Sequence, residues 1–249
     1  MLTLKQFVKP YMPHQVIRAM RPARSAVRAV IAAVRTDRLL KKLRRKDGLV
    51  YLEFGPGGHP LGSPWIGIDW SGYTDLTWDL CKPLPFETGT IAGIYSSHVL
   101  EHFTLQSLRA LLRECARVLS PGGFFLCAVP DAGRYIQACA DPDSYQAMRG
   151  HVGASDYCVT GTPFDLVNMT AYMHGEHHTM FDSRFLCGLL QEAGFPHVRQ
   201  REYDAHFDLP DRDWESLYAY AGFQDWEAVA TAIKTSRSVT RMSGEPPRG

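Results

Sequence analysis

Two periodicities of apolar residues divide the chain into two parts. From His14 to Lys46, apolar side chains recur at steps of three and four residues, which predicts amphipathic helix, and Pro22 marks a helix boundary. From Leu49 onward, short apolar runs are bounded by glycine, proline or acidic residues, as is typical of buried strands. The pattern therefore predicts a helical arm followed by a domain built on a sheet.

Strands and helices alternate along this second part. Predicted strands cover 49–54, 65–69, 91–96, 124–129 and 198–203, and predicted helices cover 105–119 and 181–193. The Pro121-Gly122-Gly123 segment is interpreted as the end of the first helix and a turn. We therefore expect an α/β domain with a mostly parallel sheet, in which ligands bind beyond the carboxyl ends of the strands.

Charge is distributed unevenly, although the net charge is only +1. Residues 1–47 hold 13 of the 27 Lys and Arg residues and only two acids, so a basic arm precedes an acidic body. Three interpretations of the arm stay open: it docks on the acidic body, residues 1–46 lie on an anionic membrane surface, or the arm binds RNA. We expect the α/β domain to span 48–234 and a disordered tail to span 235–249.

Cysteine usage and hydropathy exclude several classes of protein. The six cysteines stand singly with no CxxC pair, which argues against a zinc ribbon or a thioredoxin-type site. No signal-peptide pattern opens the sequence, and no apolar stretch approaches the roughly 20 residues of a membrane span. We therefore expect a cytoplasmic protein, with the inner face of the membrane as its one candidate membrane contact.

Residues suited to binding a nucleotide-like ligand follow the first two predicted strands. Gly55 and Gly57 would let a ligand approach the backbone, and Asp69 could accept hydrogen bonds from a ribose diol. The alternatives are a glycine-rich turn without a ligand and a capping aspartate. A nicotinamide site is disfavoured because Pro60 stands where G-x-G-x-x-G needs glycine, and the acid follows Gly55 by 14 residues instead of about 20.

Five segments in order resemble class I S-adenosylmethionine-dependent methyltransferases, and are most similar to bacterial predicted methyltransferases of the type found with cell-surface glycan genes. They are Leu52-Glu53-Phe54-Gly55-Pro56-Gly57, Gly67-Ile68-Asp69, Asp79-Leu80 with Leu84-Pro85-Phe86, Tyr95-Ser96-Ser97-His98-Val99-Leu100-Glu101-His102, and Arg117-Val118-Leu119-Ser120-Pro121-Gly122-Gly123. The resemblance covers about residues 48–203. It implies a Rossmann-like sheet and S-adenosyl-L-methionine as the cofactor.

The resemblance also implies which residues bind the cofactor. They are Glu53, Gly55 and Gly57 at the methionine part, Asp69 at the ribose, Asp79 and Leu80 at the adenine, and Ser96 and His98 at the methyl-transfer pocket. His102 is interpreted as a helix-start or core histidine. One departure is the connection over 58–64, which contains two prolines and is too short for the usual crossover helix. We therefore expect a loop there.

A hydroxyl acceptor needs a general base, because a neutral alcohol is a poor nucleophile. Asp131, which follows the strand at 124–129, is the first candidate, and His178 and His174 are the next. Asp131 could instead cap the turn before Gly133. The histidine cluster over 174–178 offers ligand atoms for a metal but no closed metal-ligand spacing, so we expect no metal.

Two motifs of related enzymes are absent from the sequence. The Asn/Asp-Pro-Pro-aromatic motif of nucleic-acid amine methylation does not follow the third strand, and no Pro-Cys nucleophile occurs. Both absences, with the acidic body, argue against nucleic acid and favour a small-molecule or glycan acceptor. We expect O-methylation of a cell-surface glycan sugar or of a small metabolite. The alternatives are a methyltransferase-like binding module without turnover and an RNA methyltransferase recruited by the arm.

Overall fold

The computed structural model describes residues 21–43, 49–58, 60–152, 159–204 and 216–231. Residues 1–20 and 44–47 of the predicted arm and the predicted tail at 235–249 lie outside these ranges. The described helices are α1 (Arg21–Leu43), α2 (Leu105–Val118), α3 (Ala132–Ala138), α4 (Pro142–Val152), α5 (Pro163–Tyr172) and α6 (Ser183–Glu192), with short 3₁₀ turns at Leu100–His102 and Met173–Gly175. In this part of the chain, no helix combines the length and the apolar character needed to cross a membrane.

A seven-stranded sheet forms the centre of the molecule. Its strands are β1 (Val50–Phe54), β2 (Trp65–Asp69), β3 (Leu76–Thr77), β4 (Ile91–Ser97), β5 (Leu119–Pro130), β6 (His197–Arg201) and β7 (Ser216–Gly222), in the spatial order β3-β2-β1-β4-β5-β7-β6. The first five in that order are parallel, and β7 runs antiparallel to both β5 and β6. The mostly parallel, Rossmann-like α/β fold is therefore confirmed.

Burial of the apolar runs explains why these segments form strands. Leu52, Ile68 and Ile94 are fully buried in the main core, because helices cover the sheet and water reaches neither face at these positions. Helix α2 begins where Thr104 accepts a hydrogen bond from the Ser107 amide, and it buries one face against the same core. The free energy gained from this burial holds the carboxyl ends of β1, β2 and β4 side by side.

The prediction for Pro121-Gly122-Gly123 is wrong in its extent. Strand β5 already begins at Leu119 and runs through these residues, although Pro121 and Gly122 remain exposed. The pairing with β4 shifts in register between Ile91 and Gly93, which accommodates the irregular segment. A Cβ on Gly123 would lie 3.0 Å from the Ile91 carbonyl oxygen, so glycine suits this close approach.

The connection between β1 and β2 is a loop over its described residues, as expected. The buried carboxylate of Glu53 accepts a hydrogen bond from the Leu61 amide at 2.9 Å and so fixes the loop to the end of β1. Burial raises the pKa of Glu53 above its usual value. Leu61 and Trp65 also pack beside Tyr51, which supplies an apolar anchor in place of a crossover helix.

Helix α1 docks on the edge strand β3. Thr36 is buried, and its hydroxyl oxygen accepts a hydrogen bond from the Thr77 amide at 3.0 Å. Arg35 donates to the Thr74 carbonyl, and Leu39 and Leu40 pack against the main core. The described part of the basic arm therefore covers the outer edge of the sheet at β3.

The described residues between Asp131 and Phe181, 132–152 and 159–180, form a helical insert whose two ends meet at one place in the domain. Asp131 and Phe181 form an isolated β-bridge, in which the Ala132 amide donates to the Phe181 carbonyl at 2.8 Å. Helices α3, α4 and α5 enclose a small core of their own, formed by Tyr135, Ala138, Tyr145, Met148, Leu166 and Met169. The insert covers the carboxyl end of β5.

Candidate active site

A cavity of about 710 Å³ opens at the carboxyl ends of the parallel strands, which is where this fold binds ligands. Its wall comes from the residues after β1, β2, β3 and β4, from the start of α2, and from the segment after the second 3₁₀ turn. They are Gly55, Asp69, Trp70, Trp78, Asp79, Leu80, Cys81, His98, Val99, His102, Phe103, Thr104, Ser107, Glu176 and His178. Five of the eight predicted cofactor-binding residues therefore lie in one wall: Gly55, Asp69, Asp79, Leu80 and His98.

Gly55 brings the backbone to the cavity in a conformation that suits glycine. Its φ is +55°, and a Cβ at this position would lie 2.6 Å from Cγ2 of Val99. The Gly55 amide donates to the Ile68 carbonyl at 2.9 Å, which fixes the turn to β2. A ligand can therefore approach the chain closely at the end of β1.

The two predicted aspartates hold their loops through one carboxylate oxygen each. The Ser71 amide donates to Oδ1 of Asp69 at 2.6 Å, and the Cys81 amide donates to Oδ1 of Asp79 at 3.0 Å. Both arrangements are short Asx turns, which orient the carboxylates along the cavity wall. The exposed indole of Trp70 follows Asp69 directly and supplies an aromatic face beside it.

Three predicted cofactor-binding residues are not among those that line this cavity. The carboxylate of Glu53 accepts a hydrogen bond from the Leu61 amide, and Gly57 is exposed with a φ of +56° and, among the described residues, no atom within 4 Å of a Cβ added there. Ser96 is fully buried in β4, and its hydroxyl has no hydrogen-bond partner among the described residues. In this structure Glu53 therefore supports the loop, and contact of all three residues with a cofactor stays a prediction.

His98 lies between the larger cavity and a second, adjoining cavity, and it lines both. Its φ is +51°, a conformation that is uncommon for a residue with a side chain, and its amide donates to the Ala128 carbonyl at 2.9 Å. The side chain is 7% exposed, with Nε2 2.9 Å from the Ser216 hydroxyl and Nδ1 3.4 Å from Oε1 of Glu101. Strain of this kind clusters at functional sites.

A second cavity of about 270 Å³ adjoins the first. Its wall combines the first 3₁₀ turn with the helical insert: His98, Glu101, His102, Pro130, Tyr135, Met169, Thr170, Met173, Glu176 and His177. His98, His102 and Glu176 line both cavities, so the two spaces share one wall.

The three predicted base residues lie in different surroundings. Asp131 caps α3: Oδ1 accepts from the Gly133 amide at 3.0 Å, and Oδ2 lies 3.4 Å from Nε of Arg134. Neither cavity is lined by Asp131 or by the exposed His174, whereas His178 lines the larger one. The structure therefore gives Asp131 the capping role that was the alternative, and its role as a base gains no support from this geometry.

Some residues that line the two cavities were not among the predicted site residues. Trp70 and Trp78 add aromatic surface to the larger cavity, and Glu101, His177 and Glu176 add polar groups to the smaller one. His102, interpreted from the sequence as a structural histidine, lines both cavities. The sequence feature that could have identified His102 and Glu101 as site residues is their close spacing with His98 after β4.

The sequence model of the methyltransferase domain family matches residues 24–200, and the chain belongs to that family. The residues of the larger cavity fit S-adenosylmethionine: the volume lies in the usual range for small-molecule sites, the carboxylate of Asp69 and the indole of Trp70 are adjacent, and Gly55 leaves open the space that a side chain would fill. The protein is an S-adenosylmethionine-dependent methyltransferase.

Solved structures of similar fold come from several organisms. A chain of the complex between the Haloferax volcanii Trm112 methyltransferase activator and a methyltransferase is 19% identical, with 76% of this chain and 88% of that chain covered and a TM-score of 0.44. An S-adenosylmethionine-dependent methyltransferase from Archaeoglobus fulgidus is 14% identical, with 75% and 93% covered and a TM-score of 0.42. One from Thermotoga maritima is 13% identical, with 74% and 87% covered and a TM-score of 0.45. None of the curated proteins compared with the chain matches it.

Proposed function

We propose that this methyltransferase methylates a hydroxyl oxygen of a small acceptor, such as a sugar of a cell-surface glycan or a related small metabolite. The observation that carries the proposal is the 270 Å³ cavity that shares His98, His102 and Glu176 with the larger one. Its volume lies just below the usual range for small-molecule sites, so it suits one sugar unit or a small metabolite better than a stacked base pair or a folded chain.

The charge of the smaller cavity favours a polyol over a phosphate-rich acceptor. The carboxylates of Glu101 and Glu176 both line it. Carboxylates repel phosphate groups, and the carboxylate of the exposed Glu176 can accept hydrogen bonds from the hydroxyl groups of a sugar. The apolar side chains of Met169, in α5, and Met173, in the second 3₁₀ turn, offer surface for the C–H faces of a sugar ring.

S-adenosylmethionine, when bound, supplies a methyl group already activated on a sulfonium. The remaining requirement falls on the protein, which must orient the acceptor hydroxyl and remove its proton. Among the predicted bases, His178 is the one that lines the larger cavity. Its amide donates to the Glu101 carbonyl at 2.8 Å, so the residue is held beside the wall that both cavities share. We assign His178 as the base.

Cofactor binding can be tested with S-adenosylhomocysteine by isothermal titration calorimetry. Asp69→Ala removes a charged hydrogen-bond acceptor, whose loss amounts to about 1.5–3 kcal/mol, or roughly 10–150-fold in affinity. Asp225→Ala is the matched control, because it removes the same charge from an exposed position outside both cavities. Equal affinities of wild type and Asp69→Ala would contradict the placement of the cofactor.

The acceptor can be identified with radiolabelled S-adenosylmethionine and a panel of nucleotide sugars, lipid-linked glycans and bulk RNA. We expect an O-methyl sugar or small metabolite as the product, and we expect His178→Ala to bind S-adenosylhomocysteine normally while losing turnover. Methylated RNA, or a methylated nitrogen, would contradict the proposal. Normal S-adenosylhomocysteine binding with no product from the whole panel would favour a binding module without turnover.

A further inference from the structure

Three side chains with metal-ligating atoms converge beside the smaller cavity. Glu101 and His102 belong to the first 3₁₀ turn, and His177 follows the second turn some 75 residues later. One ligand atom from each lies within 4.8 Å of the ligand atoms of the other two. Glu101 and His177 are buried and His102 is exposed, so the cluster sits at the boundary between the protein interior and the cavity.

Both imidazoles are oriented by backbone carbonyl groups. Nδ1 of His102 lies 3.0 Å from the Glu176 carbonyl oxygen, and Nδ1 of His177 lies 2.7 Å from the Thr170 carbonyl oxygen. A carbonyl oxygen can only accept, so each Nδ1 donates its proton to the carbonyl oxygen, and Nε2 is the ring nitrogen that can bind a metal. Metal-binding histidines have this same support on the nitrogen that does not bind the metal.

The buried carboxylate of Glu101 is a second, independent observation that points to a bound cation. Its side chain is 2% exposed, and Oε2 has no hydrogen-bond partner among the described residues. The other oxygen, Oε1, lies 3.4 Å from Nδ1 of His98. A buried carboxylate oxygen without a partner is unfavourable, and a bound cation would satisfy it.

Backbone hydrogen bonds fix the two segments to each other. The Glu101 carbonyl oxygen accepts from the His178 amide at 2.8 Å and from the Thr179 amide at 3.2 Å. The Thr179 hydroxyl donates to the Phe103 carbonyl at 2.7 Å. The positions of the three side chains therefore follow from the fold, and a metal ion would not have to assemble the site.

We propose that Glu101, His102 and His177 bind one divalent transition-metal ion of the Zn²⁺ or Fe²⁺ type. Two imidazoles and one carboxylate suit these ions better than Mg²⁺ or Ca²⁺, which prefer oxygen ligands. Three protein ligands leave coordination positions open, and all three residues line the smaller cavity. The role of the ion rests on the proposed function: Glu101, His102 and His177 would hold it at the wall of the smaller cavity, where it would supply Lewis-acid assistance to ionisation of an acceptor hydroxyl, with His178 of the adjoining larger cavity as the proposed proton acceptor.

The test is titration of the metal-stripped, full-length protein with Co²⁺, a coloured substitute for Zn²⁺, followed by visible absorption. We expect saturation at one equivalent of Co²⁺. Affinity should fall by about 100-fold or more in His102→Ala, His177→Ala and Glu101→Gln, since loss of even a supporting residue outside the ligand set lowers metal affinity by about 10–100-fold. Because His102 is exposed, we expect His102→Ala to keep the thermal midpoint of the wild type, which a thermal unfolding measurement checks.

His174→Ala and His197→Ala are the matched controls, because both remove a histidine that lies outside the cluster. Their Co²⁺ affinity should equal that of the wild type. No saturable binding in the wild type, or equal affinity in His102→Ala and the controls, would overturn the site. If the protein binds S-adenosylhomocysteine but not Co²⁺, the metal site is contradicted and the proposed function is not. If it binds Co²⁺ but transfers no methyl group, the proposed function is contradicted and the metal site is not.

Discussion

Replacing Gly55 by alanine tests whether the turn at the end of β1, which borders the cofactor cavity, requires glycine. The substitution has two separable effects. A side chain at a φ of +55° costs about 1–2 kcal/mol, and the new Cβ, 2.6 Å from Cγ2 of Val99, adds an overpacking cost of about 1–3 kcal/mol. We therefore expect Gly55→Ala to lower the free energy of unfolding by about 2–5 kcal/mol, as measured by urea denaturation followed by circular dichroism.

Gly57→Ala and Val99→Ala separate the two effects. Gly57 has nearly the same φ, +56°, but no atom of the described part of the chain lies within 4 Å of an added Cβ, so its substitution should show the backbone cost alone. Val99→Ala in the Gly55→Ala background should recover the overpacking part, giving a favourable coupling energy in a double-mutant cycle. The reasoning fails if Gly55→Ala and Gly57→Ala are equally destabilised, or if Val99→Ala recovers nothing.

Three further predictions concern stability and localisation. Burial raises the pKa of Glu53 above 4.5, so the folded chain binds its proton more tightly than the unfolded chain, and stability should fall as the pH rises from about 4.5 through the folded pKa. Glu53→Gln should flatten that slope in urea titrations at several pH values, and an unchanged slope would assign it to another group. Asp131→Ala should lose about 1 kcal/mol of unfolding free energy with the α3 cap, whereas Asp131→Asn keeps an accepting oxygen and should lose little; equal losses would contradict the cap. If residues 1–46 lie on an anionic membrane surface, a sedimentation assay should show the full chain bound to anionic vesicles at low salt and released at high salt, and absence of binding at low salt would exclude a membrane role for the arm.

Sequence patterns predicted the strands that line the cofactor cavity better than the rest of the sheet. Strands β1, β2 and β4 are short apolar runs with glycine or acidic residues beside them, and that signal is local. Strand β7 (Ser216–Gly222) was missed although Glu215 and Gly222 bound its apolar run, because a short run that is buried at every position and contains two alanines fits a buried helix segment as well as a strand. The two-residue β3 is too short for any periodicity, and its pairing depends on β2.

The residues of the site also differ in whether nearby sequence or long-range contacts decide their position. Gly55 and Asp69 were predicted because they stand at the ends of predicted strands, so their place at the cavity depends on nearby residues alone, whereas Asp79 was predicted only through the resemblance to methyltransferases. The grouping of His177 with Glu101 depends on hydrogen bonds between segments some 75 residues apart, and no periodic pattern records such a contact. Asp131 followed the same strand-end reasoning but became a helix cap, because α3 begins at the next residue.

The bridge between Asp131 and Phe181 has a consequence for how this enzyme can change its acceptor. The helical insert begins and ends at neighbouring points, so its length can vary while the sheet keeps its geometry; each doubling of a flexible loop costs only about 0.6 kcal/mol. With its own apolar core, the insert is a segment that could be exchanged between related enzymes as one continuous piece. A chimera joined at these two points should change acceptor preference, while every residue that lines the cofactor cavity except Glu176 and His178 stays in place.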